Sequence, residues 1–193
     1  MSKYADVIYP KECHSDYPFK LAEYIYNRFI SNYEVNNKIP KMLDIGCSTG
    51  TALKNFNNCG NINLYGVDLR EEVLPDYVNF KVCNIESDRL PFEDNFFDVI
   101  YSKSVLEHVS NTENFIKESL RVLKPGGIFI GLTPDWESQY KIFWDDYTHV
   151  KPFTKKGLRD CLKISGFIES ECELFYQLPF TWKFNILKIL PRS

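Results

Sequence analysis

A chain of 193 residues fits one domain, and its 44% hydrophobic and 25% charged residues are an ordinary globular balance. A net charge of −3 argues against a broad nucleic-acid-binding face, which needs clustered Lys and Arg, and no run of 18 apolar residues occurs that would span a bilayer. The opening segment MSKYADVIYPKECHSDYPF is polar and lacks the apolar centre of a secretion signal. Six cysteines (Cys13, Cys47, Cys59, Cys83, Cys161, Cys172) are scattered without CxxC spacing, so reduced thiols in a cytoplasmic protein are expected, with no disulfide framework and no metal.

In chain order, residues 17–33 place Phe19, Leu21, Ala22, Ile25, Tyr26, Phe29 and Ile30 at helical spacing, which predicts an amphipathic helix. A polar loop follows to residue 40. Lys41–Ile45 is short and apolar and runs into Gly46–Cys47–Ser48–Thr49–Gly50, a strand, a tight turn and then a helix through Phe56. Asn63–Asp68 reads as a second strand ending on a carboxylate, 78–83 as a third and 96–101 as a fourth. A helix is predicted over 112–123, a turn at Pro125–Gly126–Gly127, and a fifth strand over 128–132. Residues 154–164 read as a helix stopped by Gly166, and 167–174 alternate as a sixth strand would.

Strands alternating with helices imply a mostly parallel sheet covered on both faces, with ligands held beyond the carboxyl ends of the strands. The interesting residues do follow the strands. Gly46 and Gly50 permit the sharp turn into a helix whose N–H groups suit an anionic group. The loop fits neither the Walker pattern nor G-x-G-x-x-G, because Ser48 takes the second glycine place. Asp44 lies inside the first strand, where a carboxylate needs a partner, and Asp68 stands where a ribose-binding carboxylate would. A nucleoside with a carboxylate-bearing tail and a positive centre suits both.

These segments carry a resemblance. MLDIGCSTG resembles the glycine-rich motif of S-adenosylmethionine-dependent methyltransferases of the Rossmann-like class, and LYGVDL resembles their second motif. VCNIESDRLPFEDNFFDVIYSKSVLEHV and RVLKPGGIFIGLTP continue the likeness in the same order, over residues 42–134. The resemblance implies a Rossmann-like methyltransferase fold with six or seven strands, and S-adenosyl-L-methionine as cofactor. It implies that Gly46, Cys47, Ser48 and Gly50 wrap the methionyl part, with Asp44 near its ammonium. Asp68 would hold the ribose hydroxyls, Leu69 would pack on the adenine, Asn84 and Ile85 would sit at the adenine edge, and Ser102, just after the fourth strand, would lie near the methionyl group. Asn84 stands where the family has an acidic residue; its amide oxygen still accepts a hydrogen bond.

The expected division is a single methyltransferase domain over 1–193. It has a helical cap (1–40), a cofactor-binding core (41–133), a substrate loop or lid (134–153) and a C-terminal part (154–193). The lid segment is aromatic and carboxylate-rich, so a packing cap over the sheet edge is the alternative to a substrate pocket. DDYTHVKPFTKKGLRDCLKISGF is similar to a segment of methyltransferases encoded with surface-polysaccharide and lipid-linked glycan enzymes. That likeness implies a small-molecule acceptor methylated at oxygen: a sugar, a glycan precursor, or a phosphorylated, nucleotide-linked or acidic metabolite. A hydroxyl nucleophile must lose its proton, which makes His149 the first candidate base with Asp145 or Asp146 as orienter, and His108 the second. The bland reading of each histidine is a structural hydrogen bond.

Lys151, Lys155, Lys156, Arg159 and Lys163 are basic; Lys155, Arg159 and Lys163 share one helix face, either solvated or meeting an acidic substrate. The apolar and basic ending over 180–193 is expected to pack on its own sheet in the commoner outcome, with contact to a membrane surface or a second subunit as the alternatives, so monomer and homodimer both stand. Two alternatives to the small-molecule enzyme remain: a methyltransferase acting on protein or RNA, and a non-catalytic cofactor-binding subunit.

Overall fold

The computed structural model describes residues 17–176. Five parallel strands form the sheet: β1 (Lys41–Ile45), β2 (Asn63–Asp68), β3 (Val78–Val82), β4 (Phe97–Lys103) and β5 (Leu123–Leu132), in the order β3-β2-β1-β4-β5. β1 is central. It pairs with β2 from Lys41–Asn63 onward and with β4 from Met42–Val99 onward, so the strand order reverses between β1 and β4.

Both faces of β1 are apolar because both are covered. Met42 turns to a core with Leu53, Phe56, Val99 and Tyr101, under the first helices. Leu43 and Ile45 turn to the opposite core with Ile100, Phe115, Ile116 and Leu162. The first core is closed by α1 (Tyr17–Ile25), a π turn (Tyr26–Ile30), α2 (Ser31–Val35) and α3 (Thr51–Cys59). The second is closed by α4 (Thr112–Val122) and α6 (Lys155–Ile164), with a short α5 (Trp136–Gln139) between β5 and α6. Where one helix was expected over 17–33, the wider π turn keeps Ile25 and Ile30, five residues apart, buried together.

Other local choices follow from side chains. Asn111 accepts from Asn114 N at 3.2 Å and caps α4; Thr154 accepts from Gly157 N at 3.0 Å and caps α6. Arg121, near the end of α4, clamps the loop before β4: it bonds the carbonyls of Leu90 and Phe92 at 2.9 Å each and pairs with Glu118 at 2.6 Å and Asp94 at 2.7 Å.

Three expectations are corrected. β5 starts at Leu123 instead of 128, because Phe97 pairs with Leu123 and Val99 with Ile128, which leaves the Pro125–Gly126–Gly127 turn as a bulge inside the strand. β4 runs on to Lys103, pairing Ser102 with Gly131 and Lys103 with Leu132. The sixth strand over 167–174 is absent, so the described sheet has five strands and not six or seven. Its alternation does not select a face: Phe167 and Cys172 pack on the core of α4 and α6, whereas Ile168 is 94% exposed. The apolar ending over 180–193 lies outside the described residues.

Candidate active site

The site gathers at the carboxyl ends of the strands, around the reversal point. Gly46 leaves β1 at φ 79°, and its N–H and that of Cys47 both donate to Val67 O, at 2.8 and 3.1 Å. A Cβ at position 46 would stand 2.3 Å from Val105 Cγ2, so the loop after β1 sits against the turn after β4 with no room for a side chain. Gly50, at φ 71°, starts α3, and a Cβ there would meet Leu74 Cδ2 at 2.8 Å. Ser48, in the second glycine place, adopts the left-handed φ of 45° that glycine adopts more cheaply.

Asp68 holds this loop. Its carboxylate accepts from Ser48 N at 2.8 Å and from Arg70 N at 3.3 Å. Asp44 is 3% exposed, in register with Gly66 and Tyr101. Burial first, and then the charge of Asp68, push its carboxyl up to about 8, with Lys103 acting in the opposite direction. Burial likewise lowers the Lys103 ammonium, opposed by Glu107 and Asp44. Cys47 is buried beside Gly66, and burial raises its thiol, so it is packing and not a nucleophile.

The remaining expected cofactor residues divide. Leu69 is 60% exposed directly after Asp68, an apolar side chain open to a ligand at that edge. Ile85 is buried in the core, and its carbonyl accepts from Asn114 Nδ2 at 2.9 Å. The Asn84 amide oxygen accepts from Glu86 N at 3.1 Å and so shapes the turn after β3. Ser102, expected after the fourth strand, lies inside it, buried, with Oγ donating to Ile45 O at 3.0 Å. Its hydroxyl ties β4 to β1 beneath the glycine loop.

Beyond β4 the chain turns through Ser104, at φ 57°, into a single 3₁₀ turn, Leu106–His108. Residues 134–153 come back onto this turn: Val150 N and Lys151 N donate to Glu107 O at 2.8 and 3.1 Å, and Trp136 N donates to Phe153 O at 2.8 Å. Phe143 is buried between Trp136, Trp144 and His149, while Tyr140, Ile142, Trp144 and Tyr147 stay exposed. The segment is therefore packed at its centre, while its outside mixes exposed aromatics with Glu137, Lys141 and Asp145.

The two candidate bases meet here, with ring centroids 4.8 Å apart. His149 Nδ1 lies 2.6 Å from Phe143 O, which can only accept, so Nδ1 carries the proton. Thr148 Oγ1 donates to Asp146 Oδ1 at 2.7 Å and accepts from His108 Nδ1 at 2.9 Å, which fixes the same tautomer on His108. Hydrogen-bond partners thus assign both lone pairs to Nε2. Asp146 was expected to orient His149; its Oδ2 is 3.8 Å from His149 Nε2, Phe143 O takes the Nδ1–H instead, and Asp146 positions Thr148 and through it His108. Asp145 is exposed.

Glu107, buried and accepting from Thr133 Oγ1 at 2.9 Å, was not among the expected site residues. The signal was in the sequence, in the Leu106–Glu107–His108 triplet, but nothing local tells that residue 149 returns to it.

A buried acid whose ionisation a cation favours, a second carboxylate beside it, and a glycine loop with no room for a Cβ fit a ligand with an ammonium and a ribose. The fold is the Rossmann-like methyltransferase fold, and the loop has the geometry that a site for S-adenosylmethionine requires. Residues 43–131 match the family model described as "Methyltransferase domain". The chain is 28% identical over 114 residues to mitochondrial arginine-hydroxylase NDUFAF5 of Rattus norvegicus, covering 57% of this chain and 33% of that one. It is 34% identical over 119 residues to norajmaline N-methyltransferase of Rauvolfia serpentina, covering 55% and 40%. The chain thus spans less than half the length of these relatives. The structure of an S-adenosylmethionine-dependent methyltransferase from Mesorhizobium loti superposes with a TM-score of 0.62 at 19% identity, covering 78% of this chain and 84% of that one, a likeness of fold.

Proposed function

We propose that the chain methylates an oxygen of a small acceptor, a sugar, glycan precursor, or phosphorylated or acidic metabolite, at the cluster of His108, Asp146 and His149. The observation that carries this is the pair of Nε2 lone pairs, set by separate Nδ1 hydrogen bonds, where the returning 134–153 segment brings His149 against His108 on the turn after β4. S-adenosylmethionine supplies an electrophilic methyl group, which an acceptor oxygen takes as the sulfonium becomes a thioether. The chain supplies the rest. Asp44 ionises opposite the ammonium, Asp68 meets the ribose, and Leu69 offers an apolar edge to the base. The histidine pair takes the proton from the acceptor on Nε2. Alignment of acceptor against methyl can itself supply several kcal/mol of the barrier.

Norajmaline N-methyltransferase, by its name, methylates a nitrogen of norajmaline; it supports a small acceptor and not the choice of oxygen. The exposed Lys151 and Lys155, close to the cluster in the chain, support an acidic one. The test is calorimetric binding of S-adenosylmethionine and S-adenosylhomocysteine with NAD as control, followed by methyl transfer to nucleotide sugars, glycans and phosphorylated metabolites. Binding of the pair with transfer to one of these classes is expected. Binding with no transfer to any of them, or transfer to protein or RNA instead, overturns the acceptor assignment.

A further inference from the structure

One ligand-capable atom from each of Glu107, His108 and His149 lies within 4.8 Å of the other two. Both imidazoles spend Nδ1–H on oxygen acceptors of the 143–148 segment, so each presents its lone pair on Nε2. Metal-binding histidines are held in just this way, with the far ring N–H anchored to a carbonyl or other oxygen. The carboxylate is anchored too. Thr133 Oγ1 bonds Glu107 Oε2 at 2.9 Å, and the Glu107 carbonyl takes the N–H groups of Val150 and Lys151. Asp146 Oδ2, 3.8 Å from His149 Nε2, stands at the rim.

We propose that Glu107, His108 and His149 bind one divalent transition cation, and that its open position takes an oxygen of the acceptor. No metal was expected from the cysteine spacing; the ligands come instead from two segments that only the fold brings together. Two imidazoles and one carboxylate suit Zn²⁺, Mn²⁺, Fe²⁺ or Co²⁺, whereas Mg²⁺ and Ca²⁺ prefer oxygen shells. An ion about 2.1 Å from each ligand sets neighbouring ligands ~3.0–3.5 Å apart, so the three atoms close on it by movements of around an ångström. Three protein ligands leave a position open, as in catalytic rather than structural sites. An oxygen bound there loses its proton more readily, which is the service the proposed reaction needs. The cation also sets positive charge against the buried Glu107 carboxylate.

The role toward the acceptor rests on the function proposed above; the binding of the ion does not. The test uses the full chain, stripped with EDTA and titrated with Mn²⁺, Co²⁺ and Zn²⁺ by calorimetry, and with Co²⁺ by visible absorption. One ion per chain is expected, with Co²⁺ ligand-field bands typical of nitrogen and oxygen ligands. Glu107→Gln and His149→Gln should each weaken binding ten-fold or more, with S-adenosylhomocysteine affinity, measured on the same samples, within three-fold of the parent. Failure of the parent chain to bind any of the three ions overturns the site. So does equal binding by both variants, which would place the ion elsewhere. A chain that binds the ion but no S-adenosylhomocysteine keeps the site and loses the methyltransferase reading; the opposite result keeps the reading and loses the site.

Discussion

Asp44 sits where an ionised carboxyl is most costly, 3% exposed in the central strand, and its acid is raised to about 8 by burial and by Asp68. Between the ordinary 3.8 and about 8 the native chain therefore holds a proton that the unfolded chain has lost. Through this group stability falls as pH rises across that window. Asp44→Asn should flatten that part of the curve, measured by denaturant unfolding between pH 5 and pH 8. A cation bound beside Asp44 reverses the preference, so cofactor binding near neutral pH should release up to about one proton and tighten as pH rises. Calorimetry in buffers of different ionisation heat reads this directly; identical heats in all buffers would remove the assignment.

Asp68 is the opposite case, a carboxylate already employed by Ser48 N and Arg70 N. Asp68→Ala should leave a folded protein with S-adenosylhomocysteine binding weakened ~10–100-fold, the worth of one or two charge-assisted hydrogen bonds. Unchanged affinity would refute the ribose role.

At the scale of elements, the loop after β1 and the turn after β4 act as one piece, because Gly46 leaves no room between itself and Val105. Gly46→Ala adds left-handed strain of ~1–2 kcal/mol to a 2.3 Å clash. At about 2–4 °C per kcal/mol for a chain of this size, a fall of at least ~4 °C in Tm is expected by calorimetry. Pairing it with Val105→Ala should recover only part, since the clash goes and the φ stays.

The same scale shows what the sequence made legible. β1 and β2 stood out because an apolar run and a closing glycine or aspartate agree there, and β3 because its residues alternate. β4 was cut short at Tyr101 because Ser102 and Lys103 are polar, yet pairing with β5 and the bond to Ile45 O carry the strand on. Residues 167–174 misled because they pair with no strand of the described sheet; Phe167 goes inward to Phe129 and Ile168 outward. For the site, Asp44, Gly46 and Gly50 stood out within one strand and its turn, and Asp68 stood out as the carboxylate that ends β2. The meeting of His108 with His149 depends on the backbone bonds from Val150 and Lys151 to Glu107 O, a long-range fact that no local pattern encodes.

For the whole molecule, the strand order has a kinetic meaning. β1, β2 and β3 complete their mutual pairing within residues 41–82, whereas the other edge of β1 waits for β4, where Met42 finds Val99. Closing the longer loop costs more chain entropy, and pairing across it is slower. Refolding followed by pulsed hydrogen exchange should therefore protect the amides of β2 before those of β5; simultaneous protection would contradict this. As the chain leaves the ribosome, its central strand is a bare edge until residue 103 has emerged and β4 is complete. In that interval nascent chains of this protein are most exposed to pairing with one another, and a chaperone holding the first half-sheet would do the most good.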